Sequence, residues 1–191
     1  MHQKERDLLL TVYSLVVGLG GLVALLWLGR VEWAAASLPL FLFFVLLSVV
    51  IKRLGFHVAA DVTHSLGSTV DVAALLILGI SLGSWAAAFS GLIFTLMSTW
   101  QRRPFSRRTL LEIPLFNAGL KGLIALVCGS LYQALGGNFV PTDLSSSLLL
   151  HALILFAAWV TLDHLGWSVI ELLRAGRAGL ITWLRTVMLA S

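Results

Sequence analysis

The chain has 191 residues, of which 59% are hydrophobic and 12% charged, and its mean hydropathy is +0.96. Soluble domains carry about 25% charged residues, so this composition excludes a soluble globule and points to a membrane-embedded chain. The formal charge of +4 would suit a nucleic-acid binder, but the basic residues stand in short clusters between apolar segments, as the positive-inside rule leads one to expect of a membrane protein. Cys128 is the only cysteine, so no intrachain disulfide can form.

After a polar start, residues 8–28 form an apolar stretch. At ~1.5 Å per residue it can cross a hydrocarbon core of about 30 Å. It exceeds the roughly 7 to 15 residues of a signal-peptide core, so it is read as an uncleaved anchor despite the run Ala34-Ala35-Ala36. A second span covers 34–51 and ends against Lys52-Arg53. Residues 54–68 are weakly apolar and carry His57, Asp61, His64 and Gly67, which does not suit a lipid-exposed helix. The apolar run at 70–82 reaches only about 20 Å as a helix. Gly79 and Gly83 then mark a break, predicted to be a tight extracytoplasmic turn, before a span at 84–100.

Arg102, Arg103, Arg107 and Arg108 surround Pro104 in the densest basic loop. A fifth span at 113–135 stops at Gly136-Gly137-Asn138, and Asp143 or Ser145 is placed to cap the sixth, at 148–173. Arg174 and Arg177 close that span, and the apolar stretch at 178–190, with Arg185 inside it, reads as the start of a further segment. The expected fold is all-α, a polytopic transmembrane bundle of about six spans with one short or broken, in a single membrane domain over residues 1–191.

Orientation follows from the lysines and arginines. With the N-terminus inside, Lys4, Arg6, Lys52, Arg53, the four arginines of the 102–108 loop, Arg174 and Arg177 all fall on the cytoplasmic side, ten of 13 basic residues. Only Arg30 lies clearly outside. Both termini are therefore expected in the cytoplasm. Trp27, Trp33, Trp85 and Trp100 lie near span ends as interfacial anchors. Small residues recur at helical spacing in Ser84, Ala88, Gly91, Thr95 and Ser98, in Ala118, Gly122, Ala125 and Gly129, and in Gly79 with Gly83. Such seams let helices approach closely where lipid gives no hydrophobic drive.

The polar residues inside this pattern are the candidate sites. If 57–71 is helical, His57, Asp61, His64, Ser68 and Asp71 form one stripe. Imidazole and carboxylate groups suit a divalent metal, so His57, Asp61 and His64 are candidate metal ligands. The Val and Thr content of the segment favours extended structure instead, which would break the stripe and leave a cavity-lining loop or a ligand- or proton-sensing site. Asn117 and Lys121 share a face of the fifth span, and Asp163 and His164 are adjacent in the sixth. An ionisable group at membrane depth is by default a functional candidate. Asp71, Asn117, Lys121, Asp163 and His164 are accordingly the candidate ligand-binding set. For Lys121, pairing with Asp163 or Asp71 competes with snorkelling to a headgroup. There is no GxGxxG after a strand, no P-loop, no HExxH and no GxSxG, so catalysis within the chain is not expected.

The order Thr69-Val70-Asp71-Val72-Ala73-Ala74-Leu75-Leu76, then Gly79, a small-residue helix at 85–96, an arginine-rich loop, Leu115-Phe116-Asn117-Ala118-Gly119 and Leu135-Gly136-Gly137 resembles a known membrane domain. It is the multi-pass N-terminal domain found ahead of bacterial HD-GYP and GGDEF cyclic-di-GMP enzymes and some histidine kinases. The resemblance covers residues 54–177 and implies a sensor or anchor with a cytoplasmic output domain. It carries over Asn117, and Asp163 stands where a polar residue such as asparagine is expected in the sixth span. The resulting expectation is a sensory module in a lipid bilayer that binds a small ligand or senses membrane state, on its own, as a homodimer or within a larger complex. The alternatives are a substrate-binding subunit of a small-molecule transporter and an accessory structural subunit of a membrane complex.

Overall fold

The computed structural model describes residues 3–28, 38–54, 56–59, 62–64, 66–101, 108–139 and 146–190. Five helices carry the fold: α1 (Gln3–Leu28), α2 (Leu38–Arg53), α3 (Gly67–Gln101), α4 (Ile113–Ala134) and α5 (Ser146–Ala190). A two-stranded hairpin, β1 (Phe56–Ala59) and β2 (Val62–His64), separates α2 from α3. A π-helical turn at Arg108–Glu112 leads into α4, whose second residue, Pro114, needs no hydrogen-bonded N–H in a first turn.

Among the described residues four stretches are long and apolar enough to cross a membrane: Gln3–Leu28, Gly67–Trp100, Leu110–Ala134 and Leu148–Gly176. α2 has 16 residues, about 24 Å at ~1.5 Å per residue. Of the six spans expected, four thus coincide with helices of spanning length, counting Gly67–Trp100 once. The remaining two rest on shorter segments, α2 and the first part of α3.

α3 is not one rod. Gly79 has φ 78 and ψ 177, a region essentially open only to glycine. Asp71 and Ser90 would stand about 28 Å apart in a straight helix, yet their side chains are 3.3 Å apart. A Cβ on Gly83 would strike the backbone of Leu75. Residues 67–78 and 80–101 are therefore antiparallel limbs, and the expected glycine break is present. α5 repeats the device at Gly176, where φ is 70. His164 and Trp183 ring centroids lie 5.9 Å apart, so the limb 177–190 folds back along α5.

α4 is the central helix, packed by α1, α3 and α5. Its small residues are what allow the approach. Gly119 crosses Gly18 and Gly21 of α1 backbone to backbone, Gly122 receives Leu25, and Gly129 receives Leu75 and Ile80. The small-residue seams are thus used inside the bundle. The main core gathers Val72, Leu75, Phe116, Leu120, Ile124, Tyr132, Leu155 and Trp159. Trp27 and Trp100 are exposed, whereas Trp85 stacks on Phe89 in the bundle. Trp33 lies outside the described residues.

The helical stripe considered for 57–71 does not form. The backbone pairs Phe56 with His64 and His57 with Thr63, so the two histidines occupy successive rungs of an antiparallel ladder. Valine and threonine, which fit the pleated backbone better than a helix, decide this segment. Asp61 lies outside the described residues.

Candidate functional site

The polar residues inside the bundle fall into two neighbouring groups. In the first, the short limb 67–78 delivers Asp71 to α2 and to the long limb of α3. Lys52 Nζ lies 2.8 Å from Asp71 Oδ2 and donates to Asp71 Oδ1 at 3.1 Å and to Ser90 Oγ at 2.8 Å. Ser48 Oγ donates to Asp71 Oδ1. The single proton of Ser90 is shared between Asp71 Oδ1 and the carbonyl of Ala87, 3.0 Å away. Lys52 and Asp71 are 8% and 1% exposed, so both charges are fully removed from solvent. The expectation that Lys52 marks a cytoplasmic headgroup boundary is thereby corrected: it is an interior residue.

The second group joins α4 to α5. Lys121 Nζ donates to Asp163 Oδ2 at 2.8 Å. Its stem lies over Gly91, where a Cβ would come within 3.3 Å of Lys121 Cγ. One turn away, Asn117 Nδ2 donates to Thr95 Oγ1 at 2.8 Å, and Thr95 donates to the carbonyl of Gly91. Asp163 Oδ1 is buried without a partner, as is the indole N–H of Trp159 one turn earlier on α5. Lys52 is close enough to interact with the charges of both Lys121 and Asp163, so the two groups share one electrostatic neighbourhood.

Of the candidate ligand-binding residues, the structure thus unites Lys121 with Asp163 and puts Asn117 on the adjacent turn. Asp71 does not reach Lys121 by contact; Lys52 takes it. Snorkelling does not describe Lys121, which ends on a carboxylate. His164 turns from the pair: its Nδ1 is 2.7 Å from the carbonyl of Val160, and its ring meets Trp183. For the candidate metal ligands, only the backbones of His57 and His64 are described. Among the described residues no three His, Cys, Asp or Glu side chains gather as a metal centre.

Lys52, Ser48, Ser90 and Thr95 are not among the site residues expected from sequence, where Thr95 belongs to a packing seam and Lys52 to the basic residues that set orientation. Ser48 and Lys52 are four apart, on one face of α2, and that spacing was the available signal. α5 is held less firmly than the other long helices. Among its described residues only Leu155, Trp159 and Gly166 are buried, and its polar ties to the bundle include the Lys121–Asp163 pair and a hydrogen bond from Tyr13 Oη to the Gly166 carbonyl at 3.1 Å. No protein-family model, curated protein or solved structure matches this chain.

Proposed function

We propose that the chain is a multi-pass sensory module of a bacterial inner membrane, in which the Lys121–Asp163 pair is the responsive site and α5 the output element. The observation that carries this reading is the contrast in attachment. α5 has few buried residues and is tied at membrane depth by one ion pair whose carboxylate keeps an oxygen unpartnered. A ligand or field that competes for that pair loosens α5, and a helix shift of this kind is a standard way to carry a signal across a bundle. Past the glycine hinge at Gly176 the limb 177–190 folds back along α5, so a shift of α5 would be passed to this limb.

The six-crossing topology with the N-terminus cytoplasmic belongs to the same reading. It is supported by nine of the 13 basic residues once Lys52 is counted as interior. The test uses spin labels at Val127 of α4 and Leu172 of α5, both exposed, in a Cys128→Ser background reconstituted in lipid nanodiscs. Asp163→Asn is expected to broaden or lengthen the inter-label distance distribution. An unchanged distribution would refute the output role of α5.

A transport reading is favoured by a different observation, the broken α3. Half-helices ending near the midplane form binding sites in secondary transporters. In that case the label separation that responds is between the two limbs of α3, at Ile77 and Leu96, while the α4 to α5 separation stays constant.

A further inference from the structure

The charges enclosed by the bundle fix what kind of molecule its site can accept. Among the described residues, the two groups bring together two ammoniums, Lys52 and Lys121, and two carboxylates, Asp71 and Asp163, so their sum is zero. In the first pair both carboxylate oxygens lie against the ammonium, although Asp71 Oδ2, 2.8 Å from Lys52 Nζ, accepts no hydrogen bond of its own. Lys52 meets Asp71 and Ser90, and Asp71 also receives Ser48. The second pair differs. The Lys121 ammonium has three N–H donors and its one protein acceptor is Asp163 Oδ2. Asp163 Oδ1, buried on the same carboxylate, has no donor.

Open donors on Lys121 thus stand beside an open acceptor on Asp163, which form a single recognition edge joining α4 to α5. We infer that this edge binds a small, net-neutral molecule presenting an acceptor and a donor on neighbouring atoms, as a primary carboxamide does. Its carbonyl oxygen takes a proton from Lys121 Nζ, and its NH2 donates to Asp163 Oδ1. Asn117, one turn from Lys121 on the same face of α4, extends the polar edge. The inference rests on the reading of this pair as the responsive site and adds the class of its ligand.

The charge sum is what excludes the alternatives. A free anion or cation entering a balanced set of buried charges would leave one charge uncompensated, and an uncompensated charge in a low-dielectric interior is strongly disfavoured. A neutral donor-acceptor group satisfies both orphan functions and leaves the balance intact.

Three small probes that differ in charge test this: acetamide, acetate and methylammonium, titrated against the full chain in lipid nanodiscs with saturation-transfer NMR. Acetamide is expected to bind at least about tenfold more tightly than either ion, the ratio that ~1.4 kcal/mol represents. Asp163→Asn leaves an excess positive charge and should move the preference to acetate. Lys121→Met leaves an excess negative charge and should move it to methylammonium. A scaffolding pair without a ligand would not produce that inversion. Equal or tighter binding of an ion by the unaltered chain, no saturable binding of any probe, or an acetamide preference that survives in both variants would overturn the inference. If either single variant fails to fold, the charge-balanced Lys121→Met/Asp163→Leu chain decides: it must lose acetamide binding, and retention overturns the inference. Movement of α5 in Asp163→Asn without amide selectivity would sink the ligand class alone and leave the relay standing.

Discussion

Replacing Lys52 by methionine keeps most of the apolar stem and removes the charged, donating end of the side chain, so it probes the worth of the pair with Asp71. Breaking a buried pair by removing one partner costs about 3–5 kcal/mol because the other charge stays behind unpaired. Asp71 is 1% exposed, which puts it within that rule. The Ser48 hydroxyl still donates to Asp71 Oδ1, and Ser90 can give its proton wholly to the same oxygen, so the lower end, ~3 kcal/mol, is expected. Lys52→Met/Asp71→Leu removes both charges, and Ser90 already has the Ala87 carbonyl as a second acceptor. Exchanging a whole buried pair for apolar groups is often neutral or stabilising, so the double variant should recover to within ~1 kcal/mol of the original chain. The assay is reversible unfolding in mixed micelles, followed by far-UV circular dichroism. A single-variant loss below ~1 kcal/mol, or a double variant no more stable than the single, would refute the view of this pair as a sealed ion pair.

Two glycine substitutions probe the backbone geometry. Gly21→Ala drives a methyl into the backbone of Gly119 and should cost about 1–3 kcal/mol by forcing α1 off α4, whereas the adjacent Gly20→Ala meets nothing within 4 Å and should be neutral or stabilising by up to ~1 kcal/mol; equal effects would contradict the crossing. Gly79→Ala, at φ 78, should cost about 1–3 kcal/mol although its methyl also meets open space, and a cost near zero would mean that the limbs of α3 do not turn there.

The main helices were legible because each depends on local information. Apolar length set α1 and α4, and glycine set the break in α3. The partnership of Lys52 was not legible. Adjacent to Arg53 at the end of an apolar run, it has the sequence context of a headgroup lysine. Only the fold-back at Gly79, which returns Asp71 and Ser90 to α2, gives its ammonium an interior partner. The segment 57–71 failed as a helical stripe for the opposite reason. Its side-chain spacing was compatible with a helix, but its β-branched residues favoured the strands, and spacing has no meaning until the period is known. Lys121 and Asp163 lay between these cases. Each is conspicuous within an apolar helix, and their separation of 42 residues is bridged by the antiparallel return of α5 along α4.

The two ion pairs are chemically alike, and under the proposed sensory reading their surroundings suit them to different work. Lys52 and Asp71 are 8% and 1% exposed and are enclosed by two serine hydroxyls, while Lys121 and Asp163 are 12% and 18% exposed with an oxygen left over. Opening the first pair strands a charge among α2 and both limbs of α3, so its strength is inseparable from the fold. Opening the second removes the ion pair between α4 and α5 while Leu155 and Trp159 stay in the core, and both groups keep a route to new partners because their hydrogen-bonding capacity is not exhausted. A switch needs a contact whose loss moves one element without unfolding the rest, and whose partners can be satisfied in the altered state. Only the Lys121–Asp163 pair meets both conditions.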